Sequence, residues 1–367
     1  MSDIPLFTPF TLRGVTMRNR IMMAPMCQYQ AIDGVPTEWH MMHHGRYATS
    51  GIGSAVVEAT GISAQGRISI GCPGLYNDEQ VAAWSAITSL YRSQDIPVFV
   101  QLNHAGAKAS TARPWEGAGP LVEGSDEPPW PTVAPSAVAA REGWHVPSAL
   151  TQPEIAQIVA DFAAAATRSI EAGFDGIQIH GAHGYLLHQF MSPWSNRRDD
   201  EYGGDLEGRM RLPIEVARAI RAVLPDDMPL IYRASCVDGE GGGLTLDDTV
   251  VLAARLKEEG VDLFDASGGG IPAGVRITEA KVEPGFQIPF AARIRQDTGL
   301  PTVAVGMITD PKLANDTVAE GKADLIALAR GLLRDPVWPV TAAQALGHPA
   351  PASILPEHYA FYLRNDY

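Results

Sequence analysis

His180-Gly181-Ala182-His183-Gly184-Tyr185 places two imidazoles three residues apart, with a phenol two residues further on. Such a pair can converge on one oxygen: imidazole N–H groups polarise a carbonyl, and a tyrosine hydroxyl can deliver a proton. A metal site competes with that reading, since His-x-x-His supplies two ligands, but Glu and Asp are missing from the strand ends that would complete it. Two histidines satisfied inside a packed core are the blander alternative. The flanking glycines count against it, because they leave the histidines free to face a pocket.

Cys27 follows Pro25-Met26 and has no partner cysteine nearby in sequence. As a nucleophile it would need a lowered pKa and an acyl-transfer apparatus. Cys72 and Cys236 read as small apolar residues. Three widely spaced cysteines without a CxxC pair suggest neither a disulfide framework nor a zinc knuckle, and fit a reducing compartment. Gly306 and Arg330 could hold a phosphorylated cofactor, glycine by letting backbone approach the phosphate and arginine by paired hydrogen bonds. A turn glycine and a surface salt-bridge arginine are the alternative. Gly239-Glu240-Gly241-Gly242-Gly243 lacks the spacing of a dinucleotide-binding GxGxxG motif.

These residues fall at the ends of short β-branched runs that alternate with helical stretches, the rhythm of βαβ units. The predicted strands are 20–24, 54–59, 97–102, 176–180, 229–234, 261–266, 301–305 and 324–328. Helices are predicted over 152–172, where Ile155, Ile158, Val159, Phe162 and Ala166 recur at helical spacing, and over 247–259. Eight repeats point to an α/β fold, a (β/α)8 TIM barrel spanning 1–367 as a single domain. In that fold sites form where strands end, and the loops after the seventh and eighth strands commonly bind phosphate. That rim gathers Pro25, Met26, Cys27, Ala59, Gln101, His104, the His180–Tyr185 segment, Arg233, Ser267, Gly306 and Arg330. An insertion at about 103–150, broken by prolines and glycines, should sit over the third strand's end as a lid or pocket wall. The tail from about 347 to 367 carries Tyr359, Phe361, Tyr362 and Tyr367, more rings than a solvated tail needs, and should dock on something.

The 367 residues hold 28 Lys plus Arg against 42 Asp plus Glu, a formal charge of −14 that argues against nucleic acid or anionic lipid as partner. A small molecule is the expected partner. Hydrophobic residues at 46% and charged residues at 19% suit a folded chain with a substantial core. The N-terminus lacks the basic segment and apolar run of a signal peptide, and no stretch is long and apolar enough to span a membrane, so a cytoplasmic protein is expected.

The chain resembles the Old Yellow Enzyme family of FMN-dependent ene-reductases. The resemblance runs through Leu6-Phe7-Thr8-Pro9, Asn19-Arg20-Ile21, Ala24-Pro25-Met26-Cys27, the His-Gly-Ala-His-Gly-Tyr segment, Ser195-Asn196-Arg197-Arg198-Asp199-Asp200-Glu201-Tyr202-Gly203-Gly204 and Leu332-Leu333-Arg334-Asp335-Pro336. Cys27 and the aromatic tail make it most similar to the bacterial subclass that includes xenobiotic reductase A.

The resemblance implies tight, non-covalent FMN, NADPH or NADH as reductant, and ping-pong reduction of activated C=C bonds in enones or nitro compounds, with one site serving both half-reactions. It implies that Ala59 and Gln101 meet the flavin's pyrimidine edge, that Arg233 lies near N1 and O2, that Pro25, Met26 and Cys27 also contact the flavin, and that Gly306 and Arg330 hold the phosphate. His180 and His183 would grip the substrate oxygen, Tyr185 would donate the proton and Tyr29 would line the substrate space. Tyr362 holds the position of a tail aromatic that reaches a neighbouring subunit's site, which implies a homodimer or higher homo-oligomer. Three positions depart from the family pattern. Ala107 replaces a frequent basic residue and Trp194 a smaller one, which would reshape specificity, and Ala329 replaces a glycine before Arg330, which bears on phosphate geometry.

Overall fold

The computed structural model describes residues 4–124, 127–239, 242–271 and 282–364. Tyr367 of the tail and Glu240 and Gly241 of the glycine-rich run lie outside the described residues. Eight parallel strands close into a barrel: β1 (Ile21–Met23), β2 (Ser54–Gly61), β3 (Val98–Asn103), β4 (Gly176–Gly181), β5 (Leu230–Ser235), β6 (Leu263–Ser267), β7 (Thr302–Ala304) and β8 (Leu325–Leu328). Closure comes where Ile326 of β8 pairs with Ile21 of β1. All eight predicted strands form, in the predicted order.

The helices between them start on side-chain caps that the sequence supplies. α1 (Glu38–Ala48) and α2 (Asp78–Arg92) begin at Thr37 and Asn77, whose side chains sit in capping boxes with His40 and Gln80. Thr151 with Glu154 opens α3 (Gln152–Glu171), and Asp205 opens α4 (Leu206–Val223). Thr245 with Asp248 opens α5 (Leu246–Glu258), followed by α6 (Ile288–Thr298), α7 (Pro311–Ala319) and α8 (Trp338–Ala345). The apolar face of α3, including Ile155, Ile158, Phe162 and Ala166, is buried, as its periodicity requires.

Inside the barrel the two-residue period of the strands separates an apolar layer from a polar one. Met22, Val56, Phe99, Ile231, Leu263, Val303 and Leu325 form a buried cluster. A short antiparallel hairpin, Phe10–Leu12 with Val15–Met17, adds Leu12 and Met17 to that cluster. Two residues further along β3, β5 and β6 come Gln101, Arg233 and Asp265, all buried. In β2 the register against β3 shifts between Val57 and Ala59, so Glu58 is the extra residue of a bulge and Ala59 pairs with Gln101. The bulge is what brings Ala59 into line with the polar layer.

The inserted segment between β3 and α3 holds two 3-10 turns, Gly106–Lys108 and Pro114–Glu116, and a small ladder in which Val133 and Ala134 face Ser148 and Ala149. Arg198 ties it down, donating to the carbonyls of Pro135 at 2.9 Å and Leu150 at 2.5 Å while pairing with Asp200 at 2.6 Å. Trp130 carries the insertion into the cluster of Tyr29, Cys27 and Tyr185 above the barrel, which makes it a pocket wall. No helix among the described residues is long and apolar enough to cross a membrane.

Candidate active site

β4 delivers His180 opposite Arg233 of β5. The chain then turns through His183, whose φ of +60° is unusual for a residue with a side chain and is held by contacts from three neighbouring segments. Its N–H donates to Ser235 Oγ at 2.8 Å, its carbonyl accepts from Lys108 Nζ at 2.8 Å, and its Nε2 meets Ser267 Oγ at 2.9 Å. The next N–H, of Gly184, donates to His188 Nδ1 at 2.8 Å, and His188 Nε2 meets Asp238 Oδ1 at 2.8 Å in a fully buried pair. Gly270 permits the crossing, because a Cβ there would stand 2.1 Å from the His183 carbonyl carbon.

These braces bring three rings together. His180 lies with its ring centre 5.2 Å from His183 and 5.0 Å from Tyr185, edge to face in both cases. Burial, reinforced by the Arg233 cation, pushes both imidazoles well below the ordinary histidine pKa, so they are neutral donors at pH 7. His180 Nδ1 accepts from the Ala182 N–H at 3.3 Å, which puts the ring proton on Nε2. Burial raises the Tyr185 pKa, keeping the phenol protonated. Among the described residues no third His, Cys, Asp or Glu joins His180 and His183 in a metal-sized group.

Tyr185 shares its surroundings with Cys27, Tyr29, Ala59 and Cys72. Cys72 is buried in the apolar cluster against which Cys27 packs, in keeping with its reading as a small apolar residue, and its Sγ lies 3.7 Å from Ser69 Oγ. The neighbouring Cys72 thiol and burial raise the Cys27 pKa well above the ordinary thiol value, so Cys27 is a thiol and not a thiolate. Nothing in the sequence signals that the two lie close, because they come from different loops. Cys236 is buried alone in the apolar core, as read. Tyr29, at φ +55°, rests edge-on against Trp115 of the insertion and gives its carbonyl to Arg113 at 3.1 Å. Burial raises its pKa as well. Pro25 and Met26 lead from β1 into this wall, the Met26 carbonyl accepting from Gln28 Nε2 at 2.7 Å.

Below the rings runs a buried polar chain. Gln101 Nε2 donates to Gln178 Oε1 at 2.7 Å, Gln178 Nε2 donates to Asp265 Oδ2 at 3.0 Å, and Arg233 Nε stands 3.4 Å from the same oxygen. Arg233 Nε and Asp265 Oδ1 are buried without a hydrogen-bond partner among the described residues. Burial raises the Asp265 pKa against the opposing pull of Arg233. Buried polar atoms without a hydrogen-bond partner are costly, and here only the 3.4 Å ion pair offsets them, so the layer is suited to a polar ligand.

Arg233 and Ser267 also line a cavity of about 260 Å3 that opens past Gly306, Ala329, Arg330 and Arg334. Gly306 has φ +108°, a conformation that suits only glycine, and a Cβ there would press within 3.2 Å of the Phe286 ring. Ala329 adopts φ −112° and ψ −88°, outside the left-handed region that favours glycine. Tyr362 is the one site candidate that the fold leaves apart. It lies 79% exposed on the helix Glu357–Leu363, with Tyr359 and Phe361 also exposed.

Residues 5–348 match the family model described as the NADH:flavin oxidoreductase / NADH oxidase family. An NADPH dehydrogenase of Geobacillus sp. (strain WCH70) is 43% identical over 352 residues, covering 95% of this chain and 96% of its own. One from Bacillus subtilis (strain 168) is 39% identical over 351 residues, covering 95% and 97%. Among solved structures, morphinone reductase in complex with tetrahydroNAD superposes with a TM-score of 0.75 at 27% identity, covering 97% of this chain and 96% of its own. The old yellow enzyme homologue from Zymomonas mobilis also gives 0.75 at 27% identity, covering 94% and 93%. With the barrel, these likenesses define an NAD(P)H-dependent oxidoreductase that uses FMN. The chain belongs to the NADH:flavin oxidoreductase / NADH oxidase family and is an enzyme of the Old Yellow Enzyme type.

Proposed function

We propose that this enzyme reduces the activated C=C bond of α,β-unsaturated carbonyl or nitro compounds, with NADPH or NADH as reductant in alternate half-reactions at one site. The observation that carries the reading is the set of two neutral imidazoles and a protonated phenol whose ring centres lie about 5 Å apart. FMN suits the polar layer and the adjoining cavity: Arg233, steadied through Nε by its ion pair with Asp265, and Gln101 beside Ala59 offer donors to the pyrimidine edge, and Gly306 and Arg330 offer backbone approach and a guanidinium to the phosphate. Pro25, Met26 and Cys27 would wall the flavin on the β1 side. When bound, FMN supplies the two-electron chemistry that links nicotinamide oxidation to alkene reduction.

In this reading His180 and His183 donate N–H bonds to the carbonyl or nitro oxygen, drawing charge toward it as hydride arrives at Cβ. Tyr185 gives its phenolic proton to Cα and is later reprotonated from solvent. The braces on His183 and Gly184 hold the donors in place before substrate enters. Tyr29 and Trp115 close the substrate space on the insertion side. One unit, residues 1–367, would house the whole reaction. The exposed rings around Tyr362 support a homodimer or higher assembly in which the tail meets a neighbour's site, and loss of residues 356–367 is expected to raise KM and reduce the sedimentation coefficient. Unchanged sedimentation and kinetics would remove the tail from both roles. Three free thiols, two of them adjacent, support a cytoplasmic location.

The test is the visible spectrum of the purified holoenzyme under anaerobic conditions. NADPH should bleach the flavin bands and 2-cyclohexenone should restore them. Bleaching without recolouring by enones or nitroalkenes would leave an NADPH:flavin oxidoreductase whose acceptor is of another class.

A further inference from the structure

Beside the reacting groups lies a second cavity, of about 170 Å3, that the chemistry above does not use. Ala107, Lys108, Val138, Gly184, Trp194 and Arg197 are among the residues that wall it. Lys108 fixes its position: the ammonium donates to the His183 carbonyl and stands 5.8 Å from the centre of the Tyr185 ring. The cavity therefore adjoins the proposed proton donor. Ala107 and Trp194, singled out in the sequence for departing from the family pattern, both face it. The Ala107 N–H donates to Gln189 Oε1 at 3.1 Å, so its backbone is anchored independently of its side chain, and the small methyl leaves the space open.

An inventory of polar groups says what the cavity would accept. Gln189 spends its amide on the carbonyls of Ala105 at 3.3 Å and Gly184 at 2.7 Å, and Ser195 spends its hydroxyl on the Gln189 carbonyl at 2.7 Å. What remains is apolar surface and two cations. Lys108 has three N–H donors, of which the His183 and Gly270 carbonyls take two. Arg197 is exposed, and its backbone N–H is fixed on Ser136 Oγ at 2.9 Å. Its guanidinium makes no ion pair or hydrogen bond among the described residues. In a chain of net charge −14, two cations with unspent donors at one apolar cavity favour an anion there. A cavity of roughly 150 Å3 is enough to hold a benzene ring.

We propose that this cavity is a subsite for substrates whose activated double bond carries an aryl or alkyl arm ending in a carboxylate, the arm against Val138 and Trp194 and the carboxylate at Arg197 and Lys108. The proposal rests on the ene-reductase reading and names the substrate class that reading leaves open.

The holoenzyme is assayed with three probes: 2-cyclohexenone, which has no arm, cinnamaldehyde, which has an apolar one, and 4-carboxycinnamaldehyde, which has the full arm. Wild type should prefer the acid over cinnamaldehyde in kcat/KM. Arg197→Gln should cost about tenfold on the acid and under twofold on the other two, with the loss shrinking as salt rises because Arg197 is exposed. Ala107→Arg, which fills the cavity, should slow both aryl substrates and spare 2-cyclohexenone. Direct binding of 4-carboxycinnamaldehyde to oxidised holoenzyme, read by calorimetry, should weaken in the same order. Equal effects of Arg197→Gln on all three probes, or an unaltered response to the acid in both kinetics and calorimetry, would overturn the subsite. Failure of wild type to reduce any probe, with binding of the acid still lost in Arg197→Gln, would overturn the ene-reductase reading and leave the anion subsite standing.

Discussion

At the β7–β8 end of the barrel mouth the wall consists of glycine backbone and guanidinium groups, with Arg330 and Arg334 exposed around an open cavity. At the β4–β6 end it consists of two neutral imidazoles and a phenol, held by residues of neighbouring strands and loops. The first arrangement suits a ligand that always carries charge, since cations left in contact with water cost little to maintain. The second suits a charge that exists only during reaction. Neutral donors polarise an oxygen without binding anions indiscriminately, and Arg233 helps to keep them neutral. In the proposed reaction, one mouth would hold a phosphate permanently and stabilise an enolate briefly.

The sharpest way to break this contrast is to remove a neutral donor. His180→Ala or His183→Ala is expected to slow reoxidation of the enzyme by enone about 10²-fold or more and to weaken the binding of phenolic ligands. Tyr185→Phe should slow the same half-reaction. Flavin reduction by NADPH should stay near wild type in all three, measured by stopped flow. Unchanged phenol affinity in both histidine variants would dissolve the assignment of the β4 end.

Removal of a cation at the other end should leave chemistry alone and loosen the cofactor. Arg330→Ala is expected to weaken FMN retention by about thirtyfold, the scale of a charge-assisted pair of hydrogen bonds, while the loaded fraction keeps its half-reaction rates. Equilibrium dialysis of FMN reads the first and stopped flow the second. A rate defect without FMN loss would mean that the two ends are not separate in function.

The barrel was legible in the sequence because β-branched runs and helical periodicity recur eight times, and the rim followed from where those runs stop. His180, His183, Arg233 and Gly306 were found that way. The short hairpin at Phe10–Met17 was not, since its strands of three residues carry no period. The braces were not legible either. Ser235 and Ser267 reach His183 from β5 and β6, and Asp238 reaches His188 across the loop after β4, so each contact exists only once the barrel has closed. Ser267 at least directly followed a predicted strand, and Lys108 stood in a segment already expected to wall the pocket. The tail aromatics were legible as surplus rings, but within the chain they cover nothing at the site.

The neutral end should also be the acid-sensitive one. His104, buried at the end of β3, is lowered to about 4 by burial, and His180 and His183 shift in the same direction. An unfolded histidine titrates near 6.5, so between about 6.5 and 4 the unfolded chain binds more protons than the folded one. Stability therefore falls as pH drops through that window. Urea midpoints at pH 7, 5.5 and 4.5 should decline in order, and His104→Gln should flatten the decline. A midpoint independent of pH would mean that these imidazoles are not held neutral.

The smallest effect is expected at Cys27, a neutral group on the β1 side that stands beside the flavin in the proposed arrangement. Its thiol is pushed well above the ordinary cysteine value by the neighbouring Cys72 thiol and by burial, so it is poorly suited to attack a substrate. A serine keeps a donor of similar reach but changes its strength and polarisability. Cys27→Ser should therefore shift the flavin midpoint potential, and the two half-reactions should move by a few-fold in opposite directions with turnover preserved. Spectroelectrochemistry and stopped flow on the same preparation test this together. If the variant holds FMN yet loses all turnover, the thiol forms a covalent bond during reaction, and catalysis runs through a nucleophile on the β1 side and not through the polarising groups alone.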